Sequence, residues 1–341
     1  MKIVGYDLLG ENTIDGLRFA WQCDNLVNYV ESAAFINRSK GKRENICGYT
    51  TSVSAGCILR AQGVPCTFCR TGNVLPYGRL LTYKEIAQQN VFMVLADMFC
   101  EERPELKNKE REFAYMGQGE PGFSYPQVRL AIEITNRIMN ELGQKVCRHV
   151  FATCGIPEAI KNYKDDVENF FTEKVTLHLS LHSLLGRDML MPVNRIYPIR
   201  ESIALMKDIR NKTGEKPCIG IMLFHNFTAK NKVHHYTNDI SNVLPILELL
   251  NPDDFRLSFC EYNPIEEIGE SEPYGYDEAM KIIELVQERG FEAKYFSSFG
   301  REKKSACGML GGKEPDNIAS QKWEELNLRS VELVNKYTDM E

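Results

Sequence analysis

The chain has 341 residues, 43% hydrophobic and 26% charged, with a formal net charge of −6. This globular composition is long enough for a large core and excludes a disordered or fibrous chain. No apolar run reaches the roughly eighteen residues that a membrane-spanning helix needs, and Met1–Thr13 carries Asp7 and Glu11 where a signal peptide would be apolar. A cytoplasmic protein without a membrane partner is expected.

Residues 1–45 fit no regular alternation and are read as a short N-terminal extension. From residue 46 to 315, β-rich apolar segments alternate with helical patterns. The predicted strands are Ile46–Val53, Phe113–Met116, His149–Thr153, Val175–Leu181, Cys218–Phe224, Arg256–Cys260 and Glu292–Phe296. The predicted helices are Tyr83–Met98, Tyr125–Leu142, Ile156–Tyr163, Arg200–Asn211, Val243–Leu250 and Tyr276–Glu288. Strands separated by helices imply βαβ units, a parallel sheet and an α/β fold. About six repeats make a partial (β/α)6 barrel, with chemistry at the C-terminal strand ends. Residues 316–341 are read as a C-terminal segment with a helix at Lys322–Tyr337.

Eleven cysteines, an odd number, suit metal binding, catalysis or buried thiols in a reducing compartment better than a disulfide scaffold. Cys57, Cys66 and Cys69 stand out. A pair separated by two residues can grip one metal centre from a single turn, and Cys57 supplies a third thiolate. Gly56, Gly63, Pro65 and Gly72 make the segment loop-like, and Phe68 can shield a cluster from water. A zinc site in an interaction protein, with Cys47 as fourth ligand, is the rival reading. Closed zinc sites usually draw on two such pairs, and here there is one. A cluster held by three thiolates keeps one iron open to chelate a cosubstrate's amino and carboxylate groups.

The ordered motifs VES at 30–32, RENIC at 43–47, SAGC at 54–57, CTFCRTG at 66–72, MGQGEP at 116–121, SLHS at 180–183, MPVN at 191–194, YNP at 262–264 and ACGMLGG at 306–312 together resemble the RlmN/Cfr family of radical S-adenosylmethionine RNA methyltransferases. The resemblance implies a radical S-adenosylmethionine barrel with one 4Fe–4S cluster on Cys57, Cys66 and Cys69. It implies cosubstrate contacts from Gly119, Glu120, Ser180, Leu181, His182 and Asn263. It also implies Cys307 as methyl carrier, Glu31 as proton acceptor, Cys47 as the thiol that resolves a covalent intermediate, and a flavodoxin or ferredoxin as electron donor. The chemistry has its own logic. An adenine ring carbon is too electron-poor to attack a methylsulfonium, whereas a thiolate can.

The chain departs from that pattern in four places. Eight residues, Ile58 to Pro65, separate the first two cluster cysteines, where the family has three. A gap-free comparison puts Thr50, not Cys47, at the resolving position. Ala152 replaces a serine that contacts the cosubstrate. The part before Glu31 is much shorter than the family's RNA-binding accessory domain. Two substrates stay open: an adenine-type base, in an RNA stem-loop or nucleotide, or a small heteroaromatic metabolite or peptide. Basic stretches at Arg38–Arg43 and Arg301–Lys304 precede Cys47 and Cys307 and could form a cationic rim for phosphate. A third lies at Lys230–His235.

Overall fold

A computed structural model of the chain describes residues 1–10, 15–24, 29–36, 45–101, 103–229, 235–272, 274–296, 303, 305–306 and 308–338. In chain order the elements are β1 (Lys2–Leu9), β2 (Gly16–Gln22), β3 (Val30–Ile36), β4 (Ile46–Thr50), α1 (Ile58–Ala61), α2 (Arg70–Val74), α3 (Tyr83–Met98), β5 (Glu110–Tyr115), α4 (Tyr125–Glu141), β6 (Val146–Thr153), α5 (Pro157–Asn169), β7 (Val175–Ser180), α6 (Arg187–Leu190), α7 (Ile199–Met206), α8 (Ile209–Thr213), β8 (Cys218–Ala229), β9 (His235–Asn238), α9 (Ile240–Leu249), β10 (Arg256–Glu261), β11 (Gly269–Glu272), α10 (Tyr276–Glu288), β12 (Glu292–Phe296), β13 (Asn317–Ile318) and α11 (Gln321–Thr338). Each of the seven predicted strands is present. The helix predicted at Arg200–Asn211 is split into α7 and α8.

One unclosed sheet organises the molecule. Its order is β12-β10-β8-β7-β6-β5-β4-β3-β2-β1-β13, with β9 and β11 hanging on β8. From β4 to β12 the neighbours run parallel, as βαβ connections require. The α/β partial barrel expected from the alternation is therefore the fold. Residues 1–36 contribute β1, β2 and β3, which continue the same sheet beyond β4 as a run of antiparallel strands, β3 pairing with β4, β2 with β3 and β1 with β2.

The pleat gives this sheet two unlike faces. Tyr49, Phe113 and His149 sit in register on β4, β5 and β6, and their rings stack across the strands at 5.1 and 5.2 Å. They and Phe151 are fully buried against the helix layer. The alternate residues Glu112, Ala114, Arg148, His178 and Ser180 keep partial exposure and line the open concave face.

α3 begins with a capping box, Thr82 and Glu85 each bonding the other's backbone. It is buried from Ile86 to Asp97 because the sheet lies on one side and α4 and α11 on the other. A helix covered all round needs no polar face. Among the described residues no helix is long and apolar enough to cross a membrane.

Candidate active site

The cluster loop leaves the top of β4. Gly56 has φ +75°, and a Cβ there would lie 2.4 Å from the Pro76 carbonyl oxygen. Cys57 caps the single turn of α1. That turn ends in a Schellman motif: Gly63, at φ +73°, donates to the Arg60 carbonyl at 3.0 Å and Val64 to that of Leu59 at 2.9 Å. The eight residues between Cys57 and Cys66 thus fold into one closed turn and return the chain to its starting point. Cys69 N donates to the Cys66 carbonyl at 3.1 Å, Cys69 caps α2, and Asn73 Nδ2 donates to both the Cys66 and Cys69 carbonyls at 2.7 Å.

Cys69 lies close enough to raise the pKa of both Cys57 and Cys66. Burial pushes Cys57 up to about 12, with Cys69 the next cause. Burial and the neighbouring thiols hold Cys66 well above its ordinary value, and burial raises Cys69. Three converging thiols, Cys57 buried and Cys66 and Cys69 partly so, are a donor set for a soft metal centre. They fit the iron–sulfur cluster that the resemblance implies.

Around this loop the parallel strands end. Gly119, after β5, has φ +103°, and a Cβ there would sit 2.1 Å from Ser54 Oγ, so a side chain is excluded. Glu120 is buried. It accepts from Thr153 Oγ1 at 2.6 Å, Gly122 N at 2.8 Å and Cys154 N at 3.0 Å, while burial raises its pKa. Ser180 closes β7. His182 follows at φ +57°, its amide bonded to the Gly220 carbonyl at 2.8 Å. Its ring meets Phe68 edge to face at 5.1 Å. Burial, helped by Arg187, lowers its pKa to about 3, so it is neutral. His182 Nδ1 is buried with no partner, an open position for a ligand atom. Leu181 and Asn263 are buried, Asn263 two residues past the end of β10.

Arg187 is the functional residue that sequence reasoning missed. It is fully buried and donates to the Ser180, Leu181 and Cys154 carbonyls, the first at 2.9 Å. It also reaches Asn194 Oδ1 at 3.2 Å. Directly after Leu190, whose carbonyl accepts from Thr67 N at 2.9 Å, the MPVN motif begins, and its Asn194 was the available signal. The guanidinium ties the ends of β6 and β7 beside the cluster loop. Burial lowers its pKa to about 10, against the pull of Cys154, Cys66 and Glu120.

Glu31 lies on β3, fully buried. It pairs with Arg18, which also binds Asp7. It accepts from Gln118 Nε2 at 2.9 Å and Gly312 N at 2.7 Å. The glycine-rich segment therefore reaches Glu31 at one end. At the other it reaches the cluster loop: Arg70 N donates to the Gly308 carbonyl at 2.7 Å and Thr71 Oγ1 to that of Leu310 at 2.6 Å. Cys307 itself lies outside the described residues, as do Arg38–Arg43, Lys230–His234, Arg301 and Lys304. Lys303 pairs with Asp316 at 2.7 Å.

Cys47 is not brought to this site. It is opposite Arg111 on the helix-facing side of β4, buried and hydrogen-bonded to Asp97, and burial pushes its thiol up to about 12. Thr50, three residues on, falls on the other face beside Ala33 and Ala114.

No protein-family model matches the chain. It is 29% identical over 303 residues to the probable dual-specificity RNA methyltransferase RlmN of Thermotoga neapolitana, covering 87% of this chain and 76% of that protein. The equivalent from Flavobacterium johnsoniae is 24% identical over 277 residues, covering 80% and 73%. In three dimensions the chain matches a radical SAM methyltransferase from Sphaerobacter thermophilus with a TM-score of 0.72, over 91% of this chain and 81% of that one at 21% identity. The resemblance carried by the ordered motifs is thereby borne out: the chain is an enzyme similar over most of its length to the methyltransferases named RlmN, and it shares its unclosed α/β fold with the Sphaerobacter radical SAM methyltransferase.

Proposed function

We propose that this enzyme methylates an sp2 carbon of an adenine-type base in RNA, using S-adenosylmethionine, a 4Fe–4S cluster and Cys307 as methyl carrier. The observation that carries this reading is the meeting of Cys57, Cys66 and Cys69 with Glu120, Ser180 and His182 at the C-terminal strand ends. Barrel enzymes place their chemistry there.

Cys57, Cys66 and Cys69 would hold the cluster; bound there, with a flavodoxin or ferredoxin as donor, it supplies the electron that cleaves the cosubstrate's sulfonium bond. The buried Glu120 carboxylate would receive the cosubstrate's amino group in place of part of its present bonding. Gly119 lets the backbone come close, and Ser180, Leu181, His182 and Asn263 would complete the binding wall. Phe68 and His182 would keep water from the reacting centre. Cys307 would act as the nucleophile towards the methylsulfonium. Glu31 would take the ring proton, held in place by Arg18, Gln118 and Gly312 N. Cys47 faces the helix layer, so in this reading an external thiol would attack the Cys307 sulfur, break its bond to the product carbon and leave a disulfide on Cys307.

The test is anaerobic incubation with methyl-labelled S-adenosylmethionine, followed by mass spectrometry of the Cys307 peptide and of added RNA. Label on Cys307 and then on RNA adenine is expected, and neither in Cys307→Ala. Turnover without label on Cys307 would overturn the carrier, and label reaching only a small heteroaromatic compound or peptide would overturn the RNA substrate.

A further inference from the structure

One cluster of cations lies apart from the cysteines, lower on the concave face. His178, Cys218 and Arg256 are in register on β7, β8 and β10, one pleat repeat below Ser180 and Gly220. Arg148 and Lys294 fall on the same face of β6 and β12, Arg148 two pleat repeats below Ala152, the β6 partner of His178, and Lys294 level with Ser180 at the upper rim; both, with Arg256, act electrostatically on His178 and Cys218. Among the described residues, Arg148 Nε donates to Glu112 at 2.5 Å, and Glu292, opposite Arg256 and attracted by it, pairs with Lys216 at 2.8 Å.

Two polar atoms in this row are buried without partners: His178 Nε2 and Arg256 Nε. Native interiors rarely leave such groups unpaired unless a ligand supplies the missing partner. Burial and the three cations lower the His178 pKa to about 3, so the imidazole is neutral and can donate one hydrogen bond without adding charge. Gly220 leaves room in front of it, since a Cβ there would be 3.7 Å from His178 Nε2. Arg148, His178 and Arg256 are partly exposed and Lys294 is exposed, so the floor is open to solvent.

We propose that this floor, formed by Arg148, His178, Arg256 and Lys294, binds a phosphate group of the substrate nucleotide, with its base directed up the strands towards Ser180. The proposal rests on the nucleotide reading above. The rise from the His178 row to the Ser180 row is roughly 7 Å, close to the reach from a nucleotide's phosphate to its base. Arg256 can pair a phosphate oxygen through its fork, and Lys294 supplies a point charge at the rim.

The test is equilibrium dialysis of the cluster-loaded enzyme with adenosine, adenosine 5′-monophosphate and the dinucleoside monophosphate ApA, without reductant. At least one phosphate-bearing probe should bind about tenfold tighter than adenosine, and its affinity should fall with salt. Preference for the mononucleotide assigns the floor to a terminal phosphate, and preference for ApA to an RNA backbone. Arg256→Met should erase the advantage over adenosine. Lys294→Met changes an exposed side chain, endangers the fold least, and should remove about threefold. Equal binding of all three probes, no binding of any, or an advantage that survives both substitutions overturns the proposal. Because no turnover is read, a failed methyl-transfer assay leaves this result standing. Intact methyl transfer with no phosphate preference refutes the floor alone.

Discussion

Arg187→Met tests the reading of Arg187 as the tie between strand ends. Methionine keeps much of the stem volume but removes the donors to the Ser180, Leu181 and Cys154 carbonyls. The Leu181 carbonyl still accepts from Ser183 N at 2.7 Å, so about two carbonyls lose a partner. A buried acceptor left unpaired costs ~1–3 kcal/mol. Relief of the guanidinium's own desolvation offsets part of this, and breaking a buried charged network costs about 3–5 kcal/mol in comparable cases. The expected loss is about 3 kcal/mol, a large share of a typical net stability of ~5–15 kcal/mol. Urea unfolding followed by circular dichroism reads it as a lower midpoint with an unchanged slope. Arg187→Lys, which keeps charge but not the fork, should recover about half of it. A loss under about 1 kcal/mol in Arg187→Met, the range of an ordinary surface substitution, would refute the role.

Cys66→Ala should lose most of its iron on anaerobic reconstitution, whereas Cys47→Ala should keep full iron and lose about 1–2 kcal/mol to a small cavity; iron loss in Cys47→Ala would contradict its placement. Gly63→Ala forces a Cβ into the left-handed region and should cost about 1 kcal/mol, with Gly63→Asn milder; equal stability of Gly63→Ala and the parent would argue against the Schellman turn. Gly119→Ala, whose Cβ would meet Ser54 Oγ at 2.1 Å, should weaken S-adenosylmethionine binding at least tenfold by calorimetry, and unchanged affinity would remove Gly119 from the site. His149 is buried with its pKa lowered to about 3 from 6.5. The unfolded chain therefore binds a proton there that the folded chain does not, so stability is full above pH 6.5 and falls as pH drops towards 3. The contribution is about 1.4 kcal/mol per unit, or about 2 kcal/mol between pH 6.5 and 5. His149→Asn should flatten that slope in urea titrations, and an unaltered slope would refute it.

Much of this protein was legible in its residues. The seven parallel strands and the long helices follow from apolar periodicity, a local property. Thr82 and Glu85 cap α3 through neighbours three residues apart, and that helix was placed to the residue. The three cysteines proposed to hold the cluster stood out equally, because a shared metal centre calls for short spacing within one loop. The ordered motifs carried the lineage across 87% of the chain.

What the sequence could not settle depends on which side of the sheet a residue faces, and on partners far along the chain. Cys47 and Thr50 are three residues apart, so the pleat sends them to opposite faces, and only the pairing of Cys47 with Arg111 shows which one meets the helices. Residues 1–45 showed no regular strand–helix alternation and looked like an extension, yet the pairing of β3 with β4 makes their strands part of the same sheet. The eight-residue spacing looked disruptive until α1 and Gly63 closed it into a turn. Nothing local in the sequence marks Arg187 and Arg18 as buried, since burying a charge makes sense only when its acceptors arrive from distant segments: Cys154 and Ser180 for the one, Asp7, Glu31 and Lys313 for the other. Short-range spacing determined the elements and the loop that carries Cys57, Cys66 and Cys69, while register and long-range hydrogen bonding decided which side chains share the site.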